Sequence, residues 1–283
     1  MAGKLYIIST PIGNLEDITY RAVATLRSVA TIACEDTRQT AKLLRHYGIQ
    51  TPLTSFHEHN EAERAGQLVS QLEAGDSLAL VSDAGTPLVS DPGYRLVRAA
   101  IERGIDVLPI PGPCAAISAL TASGLPTDAF LFGGFLPAKA GKRRAELDRH
   151  RTAEHTLIFY EAPHRIVESL EDVSARLGHS RPVVVAREMT KLHEEFLRGS
   201  ADEVLAILAG RPSVKGEITL LIGKAPAPAG TPSREQLHTE VEQLTSAGAS
   251  RMEAIKQVAR RHGIGKRDMY KLLEAQAAAE PAL

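Results

Sequence analysis

Residues 77–93 read SLALVSDAGTPLVSDPG, and the way this stretch changes character halfway decides the fold. Residues 77–82 are a short, largely apolar run of the length expected for a strand covered on both faces. Residues 82–93, SDAGTPLVSDPG, carry the glycines and prolines that end a strand and turn the chain at a sheet edge. The same succession occurs twice more. Strand 4–9 (KLYIIS) runs into STPIGNLEDIT (9–19), and strand 105–110 (IDVLPI) runs into PGPCAAISALTASGLP (111–126). Further strands are expected at 30–34 (ATIAC) and 129–133 (AFLFG), with helices near 19–28, 38–47, 60–73, 92–103 and 114–122. Strand–helix alternation of this kind predicts a mostly parallel α/β sheet with helices on both faces. In such a sheet the loops at the carboxyl ends of the strands line the ligand crevice.

The helix at 60–73 illustrates the local reading. Asn60 is a suitable N-cap and Glu63 completes a capping-box-like pair. Ala65, Leu68, Val69 and Leu72 form one apolar stripe, and Gly75 stops the helix.

The pattern breaks at GGFLPAKAGKRR (133–144), which is read as the junction between two α/β domains, 1–135 and 136–224. In the second, strands 155–160, 182–187, 194–198 and 217–222 are interspersed with helices 164–177 and 201–209. The close spacing of 182–187 and 194–198 predicts a hairpin and hence a mixed sheet. An Ala/Pro linker follows at 225–233, then a helical module at 234–275 and a tail at 276–283. In the module, Ser250 caps a helix bearing Ala254, Ile255, Val258 and Ala259, and Gly263-Ile264-Gly265 turns into a second helix, as in a helix-turn-helix.

Of 283 residues, 43% are hydrophobic and 24% charged, an ordinary globular balance. Cys34 and Cys114 are too far apart for a disulfide framework or a zinc spacing, which suits a reducing cytoplasm. No run approaches the roughly 18 apolar residues of a membrane span, and the N-terminal apolar run is too short for a signal peptide. Net charge is −1, yet residues 139–151 carry +4 and residues 251–271 carry +5. An acidic body with two concentrated basic segments can still bind a polyanion.

Familiar nucleotide signatures are missing: neither a G-x-x-x-x-G-K-[ST] loop nor a G-x-G-x-x-G after the first strand is present. His57-Glu58-His59 reads as a surface loop rather than a metal site, and there is no G-x-S-x-G elbow. What remains is three Gly/Pro loops at one sheet edge, the third passing into Cys114-Ala115-Ala116 at a helix start. Small side chains and free amides there suit a flat purine or a carboxylate.

These loops resemble those of the S-adenosylmethionine-dependent tetrapyrrole methylases. More narrowly, STPIGNLEDIT, ACEDTRQTAKLLRHYGI, SDAGTPLVSDPG, PGPCAAISALTASGLPTDAFLFGGFLP, FYEAPHRI, AREMTKLHEEFLRG and KGEIT are similar to the ribosomal RNA small-subunit methyltransferase I subfamily, over residues 4–223. The resemblance implies two α/β domains of tetrapyrrole-methylase type with a helix-turn-helix tail, in a homodimer. It implies 2′-O-methylation of a cytidine in the decoding centre, with S-adenosyl-L-methionine as donor and no metal. Small-subunit ribosomal RNA or the assembled small ribosomal subunit would be the partner. Carried over by motif, the cofactor contacts are Pro11, Ala84, Gly85, Thr86, Val89, Cys114, Ala115, Glu161 and Met189. Two departures stand out: the first loop lacks the family's G-P-G form, and Thr86 replaces the usual Asp.

A ribose hydroxyl is a poor nucleophile, so a base would help. Asp83 and Glu161 are the favoured candidates among ionisable groups that include Glu35, Asp36, Asp91, His164, Arg165, Glu188 and Lys191. Glu35-Asp36-Thr37-Arg38 reads equally well as a helix cap, with Asp36 or Thr37 at the N-cap and Arg38 paired on the first turn. Lys139, Lys142, Arg143 and Arg144, at the junction, are expected to contact RNA phosphates, with the basic tail as a second anchor. With few aromatics, base stacking should be sparse and shape recognition favoured. Two other readings stay open: a tetrapyrrole C-methyltransferase, and a DNA-binding regulator with an α/β sensor domain.

Overall fold

In the computed structural model, residues 2–226, 232–262 and 264–274 are described. Residues 227–231 of the expected linker, Gly263 of the expected turn, residue 275 and the expected tail 276–283 lie outside them. The chain divides in sequence between Lys224 and Ala225 into two compact units.

The larger unit begins with β1 (Leu5–Ile8), α1 (Tyr20–Ser28), β2 (Thr31–Cys34), α2 (Thr37–His46), β3 (Leu53–Ser55), α3 (Glu61–Glu73), β4 (Leu78–Val81), α4 (Tyr94–Glu102), β5 (Val107–Ile110) and α5 (Ala115–Ser123). The five strands form one sheet in the order β3-β2-β4-β1-β5, parallel throughout. Alternation along β4 explains its wholly apolar sequence. Leu78 and Leu80 pack with Leu68, Leu72 and Leu96 on one face, and Ala79 and Val81 with Leu26, Ile32 and Leu44 on the other.

The second sheet comprises β6 (Phe130–Phe135), then, after α6 (Ala140–Arg149), β7 (Thr156–Glu161), then, after α7 (Ile166–Leu177), the hairpin β8 (Pro182–Arg187) and β9 (Glu195–Ser200), then, after α8 (Ala201–Ala209), β10 (Ile218–Ile222). Its order is β6-β7-β10-β8-β9. β6 runs parallel to β7, and the other neighbours are antiparallel. One face is covered by α7 and α8 through Leu170, Val173, Val204 and Leu208.

The other face receives α5. Ala116, Ala119 and Leu120 pack on Ile158, Val184 and Leu221, together with Ile12 and Met189. The small side chains that follow the third loop let the helix lie close against the strands. Arg198 of β9 fastens the end of α5 by donating to the carbonyls of Ala122 and Ser123. The second sheet therefore shares a core cluster with α5 and with Ile12 of the loop after β1.

Several expectations need correction. Phe130–Phe135, assigned from sequence to the first domain, is an edge strand of the second sheet. Of the expected junction segment 133–144, residues 133–135 end β6 and residues 140–144 open α6. Asn60 does not cap α3 through its side chain. Its amide instead pins the preceding turn, accepting from the His57 N–H at 2.8 Å and donating to the Ser55 carbonyl at 3.2 Å. The expected stripe is buried as read.

The smaller unit contains α9 (Arg234–Ser246), α10 (Arg251–Arg261) and α11 (Lys266–Glu274). Ser233 and Ser250 accept hydrogen bonds from the amides of Gln236 and Glu253 and so start the first two helices. Ala254, Ile255, Val258 and Ala259 pack with Leu237, Val241, Met269 and Leu273 in its core.

Candidate functional site

The three Gly/Pro loops leave β1, β4 and β5, and β1 lies between the other two. All three loops therefore emerge side by side at the carboxyl edge of one sheet. The main chains of Thr10 and Gly85 exchange hydrogen bonds, Thr10 N–H to Gly85 O at 2.8 Å and Gly85 N–H to Thr10 O at 3.0 Å. Gly85 sits at φ +79°, where a side chain would be strained. Thr86, which stands where the resemblance implied an Asp, makes its own contacts. Its hydroxyl donates to the Pro113 carbonyl at 3.0 Å and lies 3.0 Å from the Ser9 hydroxyl.

The β8–β9 turn closes the crevice from the second sheet. Asn14 N–H donates to the Thr190 hydroxyl at 3.0 Å. Gly13 is packed so closely there that an added Cβ would lie 2.5 Å from Lys191 Cγ and 3.0 Å from the Met189 carbonyl oxygen. Four non-glycine residues, Leu88, Ser90, Glu188 and Thr190, have φ between 52° and 70°. Two belong to the loop after β4 and two to the turn after β8, so the strained backbone lies on both sides of the crevice.

Between these walls lies a cavity of about 360 Å³, at the lower end of the range for small-molecule sites. Of the cofactor contacts carried over by motif, Ala84, Gly85, Thr86, Val89, Ala115, Glu161 and Met189 line it. Pro11 and Cys114 do not, although their chain neighbours Ile12 and Ala115 do. Besides the expected Glu161 and Met189, the side of the second sheet contributes residues that sequence reasoning missed: Phe135, Tyr160 and the segment Gly216 to Thr219 that leads into β10. Neither the hydrophobic run at Phe135 nor the KGEIT segment carries a sign that its side chains face a cavity.

The two favoured bases occupy different environments. Glu161 is buried, and its carboxylate is enclosed by donors. The Ala162 amide lies 2.7 Å away, Arg165 Nε 3.0 Å and the Ser169 hydroxyl 2.5 Å. These bonds fix the start of the segment after β7 and occupy both oxygens. Asp83 is exposed at the cavity and accepts from the Asp36 amide at 2.9 Å. Asp36 caps α2, and its bidentate pairing with Arg38 holds it down at about 2, as the capping alternative anticipated. Asp91 lines the same cavity, and burial, with help from the charges of Glu35 and Asp83, raises its pKa to about 6. Burial also raises Glu35, and it pushes the Tyr160 phenol up to about 12.

The basic segment splits along the faces of α6. Lys139, Lys142 and Arg144 are exposed, whereas Arg143 is 2% exposed. Arg143 Nε donates to Asp172 at 2.7 Å, and Arg144 bonds the other oxygen of the same carboxylate at 2.7 Å. Arg143 therefore belongs to the packing of α6 on α7 and is removed from the phosphate-contacting set. Among the described residues no cluster of three or more metal-ligating side chains occurs, and no helix is long and apolar enough to cross a membrane.

Residues 4–205 match the family model of Tetrapyrrole (Corrin/Porphyrin) Methylases. The chain is 47% identical over 280 residues to the Ribosomal RNA small subunit methyltransferase I of Halalkalibacterium halodurans, covering 95% of this chain and 94% of that one. It is likewise 47% identical over 270 residues to the protein of the same name from Escherichia coli O157:H7, covering 95% and 94% of the two chains. Its fold is similar to that of the uroporphyrin-III-C-methyltransferase of Thermus thermophilus, with a TM-score of 0.54 and 19% identity over 79% of this chain and 95% of that one. A parallel and a mixed sheet joined around a loop-walled crevice, and relatives matched almost end to end, place this chain in the tetrapyrrole methylase family, among the ribosomal RNA small subunit methyltransferases I.

Proposed function

We propose that this chain transfers a methyl group from S-adenosyl-L-methionine to the 2′-hydroxyl of a cytidine in small-subunit ribosomal RNA, at the decoding centre. The observation that carries this reading is the crevice: three interlocked loops of small residues facing a second sheet, in a chain whose relatives bear that name over nearly their whole length. The residues present suit the donor. Gly85, Ala84 and Ala115 leave main-chain groups accessible to a ligand, while Ile12, Val89 and Met189 supply apolar surface. Thr86 and Glu161 line the same cavity while their hydrogen bonds also hold its walls, Cys114 stands beside Ala115 in the third loop, and Pro11 fixes the backbone of the first loop.

S-adenosylmethionine supplies, when bound, a methyl group activated by its sulfonium. The protein must align the ribose oxygen with that methyl, keep water out and accept a proton. Asp91 suits the role of proton acceptor, because a carboxylate poised near 6 is mostly ionised at pH 7 yet basic enough to take the hydroxyl proton on Oδ. Asp83 adds the negative charge that helps to set this poise, and Glu161 orients the segment after β7.

The substrate is the RNA itself or the assembled small ribosomal subunit, held at its phosphates by Lys139, Lys142 and Arg144. The helical module adds an anchor through Arg251, Lys256 and Arg260, which are exposed on α10. The enzyme acts in the cytoplasm as a homodimer, as the family resemblance implies.

The test is transfer of labelled methyl from S-adenosylmethionine to small ribosomal subunits lacking the modification, with uroporphyrinogen as the competing substrate. Label at a cytidine 2′-oxygen is expected. Label on the tetrapyrrole alone overturns the reading.

A further inference from the structure

β6 carries a bulge, and the bulge places an aromatic ring at the cavity. Phe132 pairs with Ile158 of β7, but the next pair is Phe135 with Tyr160, so three steps on one strand match two on the other. In a regular strand Phe132 and Phe135 would face opposite sides of the sheet. The extra residue puts both on the side of Tyr160, whose ring they meet edge to face at centroid distances of 4.9 and 5.5 Å.

Gly133 and Gly134 make this possible. A Cβ at Gly133 would lie 2.3 Å from the Phe159 ring, and Gly134 has φ +68°. The outcome is unusual for a large apolar side chain. Phe135 is 58% exposed, yet it lines the cavity with Tyr160, Ser90 and Asp91. Leaving a phenylalanine uncovered brings no folding benefit, and fixing its ring against Tyr160 pre-orders it for a flat partner.

We infer that Phe135 is the platform on which the base of the target nucleotide stacks when its ribose enters the cavity. This rests on the proposed RNA methylation and goes beyond it by assigning the recognition of the base. A nucleoside whose 2′-oxygen lies at Asp91 has its base only one sugar away, and Phe135 is the open aromatic surface of that same cavity. Enzymes that act on a nucleotide within folded RNA take it out of its stack, and an aromatic face replaces the stacking lost. After β6 ends at Phe135, the chain reaches the exposed Lys139 and Lys142 at the start of α6 within a few residues, so phosphate contacts follow directly along the chain. Recognition is then by shape at the backbone and by stacking at one base, more than the low aromatic content suggests.

The experiment measures kcat/KM for unmethylated small subunits and, by calorimetry, the affinity for S-adenosylmethionine in the wild type, F135A, F135L, F135Y and F135W. F135A and F135L are expected to lose about 5- to 150-fold in kcat/KM, the range for removing one stacking aromatic. F135Y and F135W should stay within about threefold of the wild type, and cofactor affinity within about twofold in all four, since a ring is what the base requires. F135L matching the wild type would reduce Phe135 to apolar packing and overturn the inference, and so would a cofactor affinity that falls in step with kcat/KM. If the wild type itself methylates no small subunit, the proposed function falls and the stacking role with it. If the wild type is active and F135A equally so, only the stacking role falls.

Discussion

The hydroxyl of Thr86 donates to the carbonyl of Pro113 at 3.0 Å, tying the loop after β4 to the loop after β5 by a side chain where the family resemblance implied a carboxylate. The same oxygen lies 3.0 Å from Ser9, at the root of the loop after β1. Removing the hydroxyl while keeping the shape isolates this tie. T86V should cost about 1–2 kcal/mol of stability, because it leaves a partly buried carbonyl without its donor. It should also weaken S-adenosylmethionine binding several-fold, since the three loops form one wall. T86S should behave as the wild type. Urea unfolding and calorimetry on the three proteins check this. T86V binding the cofactor as the wild type does would show that the loops hold without it.

Two glycines make opposite predictions. Gly13→Ala forces a methyl to within 2.5 Å of Lys191 Cγ and 2.7 Å of Thr190 Oγ1, an overpacking worth about 1–3 kcal/mol. The displaced turn carries Met189, so cofactor affinity should fall as well. Gly66 lies within α3 with nothing within 4 Å of an added Cβ. Gly66→Ala should therefore stabilise the protein by about 0.5–1 kcal/mol and leave binding alone. Thermal melts of both variants give the comparison.

Asp91 sets a pH dependence. A base acts when deprotonated, so kcat for methyl transfer should rise with pH through about 6 and level off above it. D91N should lose activity about 100-fold or more, with cofactor affinity little changed. Stability moves the other way. Because the folded-state pKa lies above the ordinary aspartate value, the proton favours the folded state. The contribution is fully present below about 4 and is lost as pH rises through about 6. At pH 8, D91N should gain on the order of 1 kcal/mol, an amount reduced from the full shift because the group is partly solvated. A D91N variant with full activity at pH 8 would rule out the role.

The basic segment separates into binding and folding residues. K139A/K142A should weaken RNA binding and flatten its slope against log salt by roughly 1.5–2 units, with no change in the melting temperature. R143A should cost about 3–5 kcal/mol, because it leaves the buried side of Asp172 unpaired. Filter binding across salt concentrations and urea unfolding distinguish the two effects. An R143A protein as stable as the wild type would contradict the packing role.

Much of this was legible because β1, β4 and β5 are short apolar runs ended by Gly and Pro, so periodicity and punctuation agree. The stripe of α3 was readable for the same reason, since Ala65, Leu68, Val69 and Leu72 repeat at helical spacing. Seven of the nine cofactor contacts carried over by motif line the cavity, a matter of loop identity more than of local physics. What could not be read depends on partners distant in sequence. Charge counting sees Arg143 as one more cation in a basic run, while Asp172, 29 residues on, decides its burial. Asn60 has the right chemistry for a cap, but the turn before it offered better hydrogen-bond partners. The sheet to which Phe130–Phe135 belongs depends on a pairing with β7, and Gly133-Gly134 reads as a break in the chain until that pairing reveals a bulge.

The strand order has a consequence for synthesis. β1 precedes both of its neighbours in the chain: Leu5 pairs with Leu78 on one side and Val107 on the other. At translation rates of about 5–20 residues per second, this apolar strand waits several seconds for its first neighbour and longer for its second. During that interval its edges lack their native partners and are open to foreign strands, an exposure that ends only when β5 has emerged.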